Sequence, residues 1–263
     1  MSAIQSLLLA SLFAAVVPAH ADCTLVADAM TQHIVEQQGE CDTRITPAST
    51  FKIALSLMGY DAGFLKSERA PVLKYRRGEV AWNESWLADT DPRKWIRDSV
   101  VWYSQRVTAA LGPRRFQRYA TAFGYGNADV SGDPTLHDGL KFAWIDSSLR
   151  ISPLEQLAFL ERVVRRELPV SVFAYDMTGR LTAMPDVSGW ELHGKTGTGF
   201  PLLADGRSDH AHAYGWFVGW AVKGSRRLVF VRQVQDRSLQ DGPAGLRARD
   251  AFLPALPALL AGR

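Results

Sequence analysis

Cysteine is scarce in this sequence, with only Cys23 and Cys41 among 263 residues. Two thiols allow one disulfide, or else two unrelated side chains. Neither has the histidine and aspartate neighbours that a thiol nucleophile needs. Long runs of like charge are missing too. The 30 basic and 27 acidic residues, for a net charge of +3, are dispersed, and the densest basic spots are the pairs Arg114-Arg115 and Arg226-Arg227. No nucleic-acid footprint is therefore expected. There is no internal repeat or low-complexity tract, and a chain that is 47% hydrophobic and 22% charged is neither disordered nor fibrous. Spanning apolar runs are lacking as well. Leu7–Val17, about 11 residues, is too short to cross a bilayer, and FLPALPALL near the C-terminus is short and broken by proline.

The first of these runs has another use. It precedes Ala19-His20-Ala21, a small-x-small cleavage pattern, so residues 1–21 read as a signal peptide and the mature chain as 22–263, one catalytic domain. The segment before the run carries no lysine or arginine, and a buried N-terminal helix is the alternative reading. Asp22 ahead of Cys23 leaves no lipid-anchor signal. Export implies the periplasm, an oxidising space, and there the expected pairing is a Cys23–Cys41 disulfide closing a short loop.

After the leader, CTLVAD and HIVEQQGEC read as a hairpin. The run STFKIALSLMG is apolar on nearly every face, the pattern of a buried helix, with Gly59 as its expected end. Between about residue 61 and 190 the patterns are helical. The clearest is ISPLEQLAFLERVVRREL, with Ser152 as N-cap, Pro153 in the first turn, Glu155 completing a capping box, and a core stripe of Leu154, Leu157, Leu160, Val164 and Leu168. YGWFVGWAV and RRLVFVRQV then form a second hairpin, and GLRARDAFLPALPALL closes the chain as helix. Strands at both ends with helices between them predict an α/β fold of α+β type, an antiparallel sheet built from both chain ends and flanked by helices, with an inserted helical region.

Within the buried run, Ser49 and Lys52 lie three residues apart and share a helix face. A serine hydroxyl is inert at its own pKa. An adjacent amine activates it if desolvation draws the lysine pKa toward neutrality, as an apolar helix would do. Pro47 places Ser49 at the helix start, where free N–H groups favour a developing oxyanion. Alternatively Ser49 is only a cap and Lys52 extends to solvent. A second motif, Lys195-Thr196-Gly197 in HGKTGTGF, decides between them. Ser-x-x-Lys with Lys-Thr-Gly is the pattern of penicillin-recognising serine enzymes. A strand edge there offers backbone groups to an amide-like substrate, Lys195 and Thr196 face a substrate carboxylate, and glycine lets a ligand approach closely.

Over the whole mature chain the sequence resembles the class D, oxacillinase-type serine β-lactamases. STFK at Ser49–Lys52, SVV at Ser99–Val101, YGN at Tyr125–Asn127, KTG at Lys195–Gly197 and WIDSSLRIS from Trp144 match its motifs in order. The resemblance implies a β-lactamase and penicillin-binding transpeptidase-like fold, and hydrolysis of β-lactams, penicillins first. It implies Ser49 as nucleophile, with the backbone amides of Ser49 and Thr198 as oxyanion hole. It further implies that carbon dioxide carbamylates Lys52 to an N6-carboxylysine that acts as general base, supported by Trp144 and the apolar Val101, with no other cofactor and no metal. Ser99 and Lys195 would pass a proton to the leaving nitrogen, and Thr196, Gly197 and Arg247, or Arg249 two residues on, would bind the substrate carboxylate.

The Ser-Asp-Asn and closing-loop glutamate of class A enzymes are missing, and the nearest acid in that loop, Asp146, is expected at the surface. A D,D-peptidase or a non-hydrolysing β-lactam sensor would share the Ser-Lys pair but is ordinarily membrane-attached, and the chain is expected to have no stable membrane association. His210 and His212 have a zinc-like spacing without a third ligand, so a polar loop is expected there, and His193 receives no role. The expected partner is the small-molecule substrate, bound by a monomer or homodimer.

Overall fold

In strand β5 (Tyr214–Lys223) side chains alternate between two cores, Trp216, Val218 and Trp220 to one face of a sheet, Phe217 and Ala221 to the other. Burial on both faces explains why this strand reads as an almost continuous apolar run. It turns through Gly224 (φ 61°) into β6 (Arg226–Gln235). On the far side of β6 lies β1 (Cys23–Asp28), paired in turn with β2 (Ile34–Gly39), so the two chain ends meet in one sheet. The computed structural model describes residues 22–261; the signal-peptide reading falls on residues 1–21, outside them.

The sheet is six-stranded and antiparallel, in the order β2-β1-β6-β5-β4-β3, with β3 (Ala183–Val187) and β4 (Trp190–Gly199) joined by a tight turn at Ser188 (φ 52°) and Gly189 (φ 78°). This hairpin is not expected from the sequence, because Pro185 interrupts a short, mostly exposed segment that sits at the sheet edge. Cys23 and Cys41 are disulfide-bonded and tie the start of β1 to the segment after β2.

Helices cover both faces. The larger core lies against α1 (Lys52–Asp61), α2 (Pro92–Asp98), α3 (Val101–Phe123), the single turn α4 (Gly139–Phe142), α5 (Pro153–Val164) and α6 (Val172–Thr182). The smaller core packs Phe217, Phe230 and Leu192 under α7 (Ala244–Phe252) and α8 (Leu256–Ala261). Helix α5 starts on the expected capping box of Ser152 and Glu155. It ends earlier than its apolar stripe, at Arg166 (φ 58°), and Leu168 is buried beyond the helix with its N–H donating to the Tyr175 hydroxyl. The C-terminal run is two helices, because Pro254 interrupts it.

Gly59 does not end α1. The helix continues to Asp61, and a Cβ at Gly59 would stand 2.8 Å from Leu65 and 3.3 Å from Val107, so this glycine serves packing. Long α3 breaks at Gly112 (φ 72°, ψ 162°) before Pro113.

Candidate active site

The residues Ala48–Phe51 form a 3-10 turn ahead of α1, held by the Pro47 carbonyl, which accepts from Thr50 N–H at 3.2 Å and from the Thr50 hydroxyl at 2.7 Å. Residues three apart eclipse in a 3-10 turn. Lys52 Nζ therefore lies 3.0 Å from Ser49 Oγ. Ala48, with φ 48°, occupies the left-handed region directly before the serine, a conformation costing an alanine about 1–2 kcal/mol that surrounding structure must impose. Part of that structure is a buried chain: the Tyr125 hydroxyl donates to Gln156 Oε1 at 3.2 Å, and Gln156 Nε2 donates to the Thr50 hydroxyl at 2.8 Å. Tyr125 of the YGN motif thus braces the nucleophile turn from the core. Sequence reasoning missed Gln156, whose polarity on the buried face of α5 is the only signal.

Lys52 is wholly buried, and among the described residues no carboxylate pairs with it. Burial, reinforced by the charge of Lys195, holds its pKa well below the ordinary lysine value. A neutral amine has a lone pair, so the 3.0 Å contact can equally run from the Ser49 O–H to the amine. Two further buried groups are poised without partners. The Trp144 indole N–H and the Ser99 hydroxyl find no hydrogen-bond partner among the described residues. Trp144 is packed between Phe51 and Phe116, ring centroids 5.8 and 6.2 Å away. Ser99 caps α2 in the left-handed conformation (φ 61°), and Val101 is buried at the start of α3.

Strand β4 completes the constellation. A Cβ at Gly197 would lie 2.9 Å from the Pro47 carbonyl and 3.1 Å from the backbone nitrogens of Ser49 and Thr50, so only glycine lets the strand pass over the serine turn. From the opposite face, Gly245 at the start of α7 donates its N–H to the Thr198 hydroxyl at 2.8 Å. Strand β3 pairs with β4 only as far as His193, leaving the Lys195–Gly199 edge without a strand neighbour on that side. Buried Lys195 donates to the Thr196 carbonyl at 3.0 Å, and its pKa is lowered to about 8 by burial and then by the charge of Arg249.

A cavity of about 820 Å³ opens here. Ser49, Ser99 and Lys195 through Gly199 line it, as do Ile145 and Asp146, with Trp82, Phe200, Leu239 and Leu246 giving it an apolar mouth. Lys52, Val101 and Trp144 are buried and do not line it. Asp146, expected simply at the surface, is exposed yet forms part of the cavity wall. Arg247 does not line the cavity: its guanidinium pairs with Asp236, which does, and also donates to the carbonyls of Asp241 and Gly242. Arg249 pairs with Asp250, although its charge reaches Lys195. His210 lines the cavity against the Phe200 ring, whereas His212 pairs with Asp209 at 2.7 Å. His193 is stacked on Trp220, outside the cavity.

Residues 23–256 match the penicillin-binding protein transpeptidase domain. The chain is 41% identical to the β-lactamase OXA-9 of Klebsiella pneumoniae over 92% of its own length and 89% of the relative's. It superposes on the crystal structure of the class D β-lactamase OXA-427 with a TM-score of 0.87 at 46% identity, covering 92% of this chain and 99% of that one. The C-terminal domain of the Bacillus licheniformis BlaR penicillin receptor shares the fold alone, at TM-score 0.78 and 22% identity, covering 91% of this chain and 90% of that one. With the serine-lysine pair, the buried tryptophan and the Lys-Thr-Gly strand edge assembled around one cavity, the chain belongs to the class D serine β-lactamases.

Proposed function

We propose that this protein hydrolyses β-lactam antibiotics, penicillins foremost, through an acyl-enzyme on Ser49. The observation that carries the reading is the 3.0 Å contact of Ser49 Oγ with an amine that is fully buried and has no acid beside it among the described residues. Ser49 Oγ attacks the lactam carbonyl as its proton leaves toward Lys52. The negative oxygen that forms is met by the backbone N–H groups of Ser49 and Thr198, where a preorganised donor is worth about 10²–10³ in rate. As the C–N bond breaks, Ser99 Oγ, which lines the same cavity as Lys195, hands a proton to the leaving nitrogen. Lys195, Thr196 and Gly197 hold the substrate carboxylate on the open edge of β4. Arg247, held by Asp236 at the cavity wall, adds its positive charge toward that carboxylate without leaving its partner.

The pocket around Lys52 fits a carbamate. Carbon dioxide adds only to an unprotonated amine, which burial favours here, and the indole N–H of Trp144 and the hydroxyl of Ser99 are buried donors awaiting an acceptor. Carbamylated Lys52 would supply an anionic oxygen base for acylation and for hydrolysis of the ester. Val101 keeps water from the amine. The leader-like residues 1–21 and the disulfide support a periplasmic location, and no helix among the described residues is long and apolar enough to cross a membrane.

The test is steady-state hydrolysis of benzylpenicillin by the chain beginning at Asp22, with and without bicarbonate, alongside intact mass. Turnover that rises with bicarbonate is expected. One stoichiometric acylation without turnover would replace the hydrolase by a sensor or a penicillin-binding protein.

A further inference from the structure

The cavity wall carries three aspartates, and two of them are neutralised from behind. Asp98 accepts from Lys94 at 2.6 Å and from Arg97 at 2.6 Å, and Asp236 is paired with Arg247. Asp146 is different. Among the described residues its carboxylate pairs with no cation and accepts from no other side chain. The remaining cationic or titratable groups of the wall are engaged elsewhere: Arg97 with Asp98, Lys195 with the Thr196 carbonyl, and His210 against Phe200. Desolvation where it faces the cavity, then the charge of Asp138, raises the pKa of this otherwise exposed side chain, as befits a carboxylate lacking a counter-ion.

Its position is fixed. The preceding carbonyl, Ile145, accepts from the Thr46 hydroxyl at 2.7 Å, three residues before Ser49, and Trp144 before that is locked in the core. The Asp146 charge and, in the opposite sense, the Arg150 charge are both felt at the Tyr214 hydroxyl, and Tyr214 pairs with Gly199 at the end of β4. Lys195 stands four residues back along the same strand, about 13 Å at strand spacing. The cavity is thus dipolar, with its cation at one end of the open edge and its uncompensated anion toward the other. A substrate whose ring carboxylate is drawn to Lys195 has room to extend its acylamino side chain toward the Asp146 wall of the same cavity.

We propose that Asp146 selects β-lactams bearing a positively charged acylamino side chain, favouring aminopenicillins over their uncharged counterparts. This rests on the reading of Ser49 as the site of β-lactam acylation. An ammonium there supplies the cation that the protein withholds, and the ion pair forms only in the complex.

Ampicillin and benzylpenicillin differ by one amino group, so their ratio of kcat/KM isolates the effect. Asp146→Asn, which keeps shape and removes charge, is expected to lower that ratio about fivefold through KM, the scale of one partly exposed ion pair. Benzylpenicillin should change less than about twofold, and the wild-type preference should fade with added salt. An unchanged ratio, or an equal loss for both substrates, overturns the proposal. The same ratio read as binding affinity in Ser49→Ala, with and without Asp146→Asn, measures the preference without turnover. If the wild type acylates neither penicillin, the reading of Ser49 has failed; if it turns over both and the ratio is flat, only the role of Asp146 has.

Discussion

Trp144→Phe separates the carbamate reading from mere packing. The indole N–H is buried with no acceptor among the described residues, a condition that costs about 1–3 kcal/mol of desolvation. Phenylalanine removes that unsatisfied donor and keeps an aromatic ring against Phe51 and Phe116. The loss of ring volume leaves a small cavity, which acts in the opposite direction. Without carbon dioxide the two terms oppose each other, so the melting temperature should move little. Adding bicarbonate to the wild type would give the N–H an anionic acceptor, and a hydrogen bond to a charged group is worth about 1.5–3 kcal/mol net. The variant forgoes that bond. Its half-saturating bicarbonate should therefore rise by about 10- to 100-fold, at roughly a decade per 1.4 kcal/mol. The assay is benzylpenicillin turnover titrated with bicarbonate in degassed buffer, with carbon-13 NMR of the carbamate as a direct readout. An identical half-saturation in wild type and variant would refute the role given to Trp144.

Ser49→Ala should abolish acylation by intact mass while leaving the fold intact; residual penicillin turnover near wild type would move the nucleophile elsewhere. Gly197→Ala inserts a methyl 2.9 Å from the Pro47 carbonyl and should displace the serine turn, lowering kcat by about 10²-fold for an ångström of misplacement, and wild-type kcat would mean β4 is not what positions Ser49. The Lys195 pKa of about 8 lies below the ordinary lysine value, so its ammonium is lost as pH rises through about 8 and KM for carboxylate-bearing substrates should climb there. Lys195→Arg, which stays charged, should flatten that limb, and a KM limb unchanged in the variant would exclude Lys195 as its origin.

What was legible in the sequence is what depends on local geometry. The Ser49–Lys52 spacing, the aromatic and β-branched run of β5, and the capping box at Ser152 are set by neighbours a few residues away, and each appears in the structure as expected. Gly59 misled because a glycine after an apolar run usually marks a helix end, whereas here it admits Leu65, which no periodicity announces. Gln156 reaches the nucleophile turn across 106 residues, and the Arg247–Asp236 pair depends on how the segment after β6 folds back beside α7. Such contacts have no sequence period. The orphaned state of Trp144 is likewise tertiary, since motif order marks the residue but only the packing of Phe51 and Phe116 around it removes every acceptor.

Several of the groups left unsatisfied converge on one point of the fold, although the Arg106 guanidinium and the Gln233 amide oxygen are unsatisfied elsewhere. A buried lysine whose charged form is disfavoured, a hydroxyl and an indole N–H without partners, and two non-glycine residues in the left-handed region, Ala48 and Ser99, each oppose folding. They are tolerated where the surroundings are stiffest, between a wholly buried helix, an aromatic cluster and a sheet edge clamped by Gly197 and Gly245. A rigid frame cannot relax to bury or pair these groups, so their unmet interactions remain available to whatever enters the cavity. Catalytic readiness and local instability are, on this reasoning, the same physical fact, and a substitution that satisfies one of these groups from within the protein should stabilise the fold while weakening the chemistry.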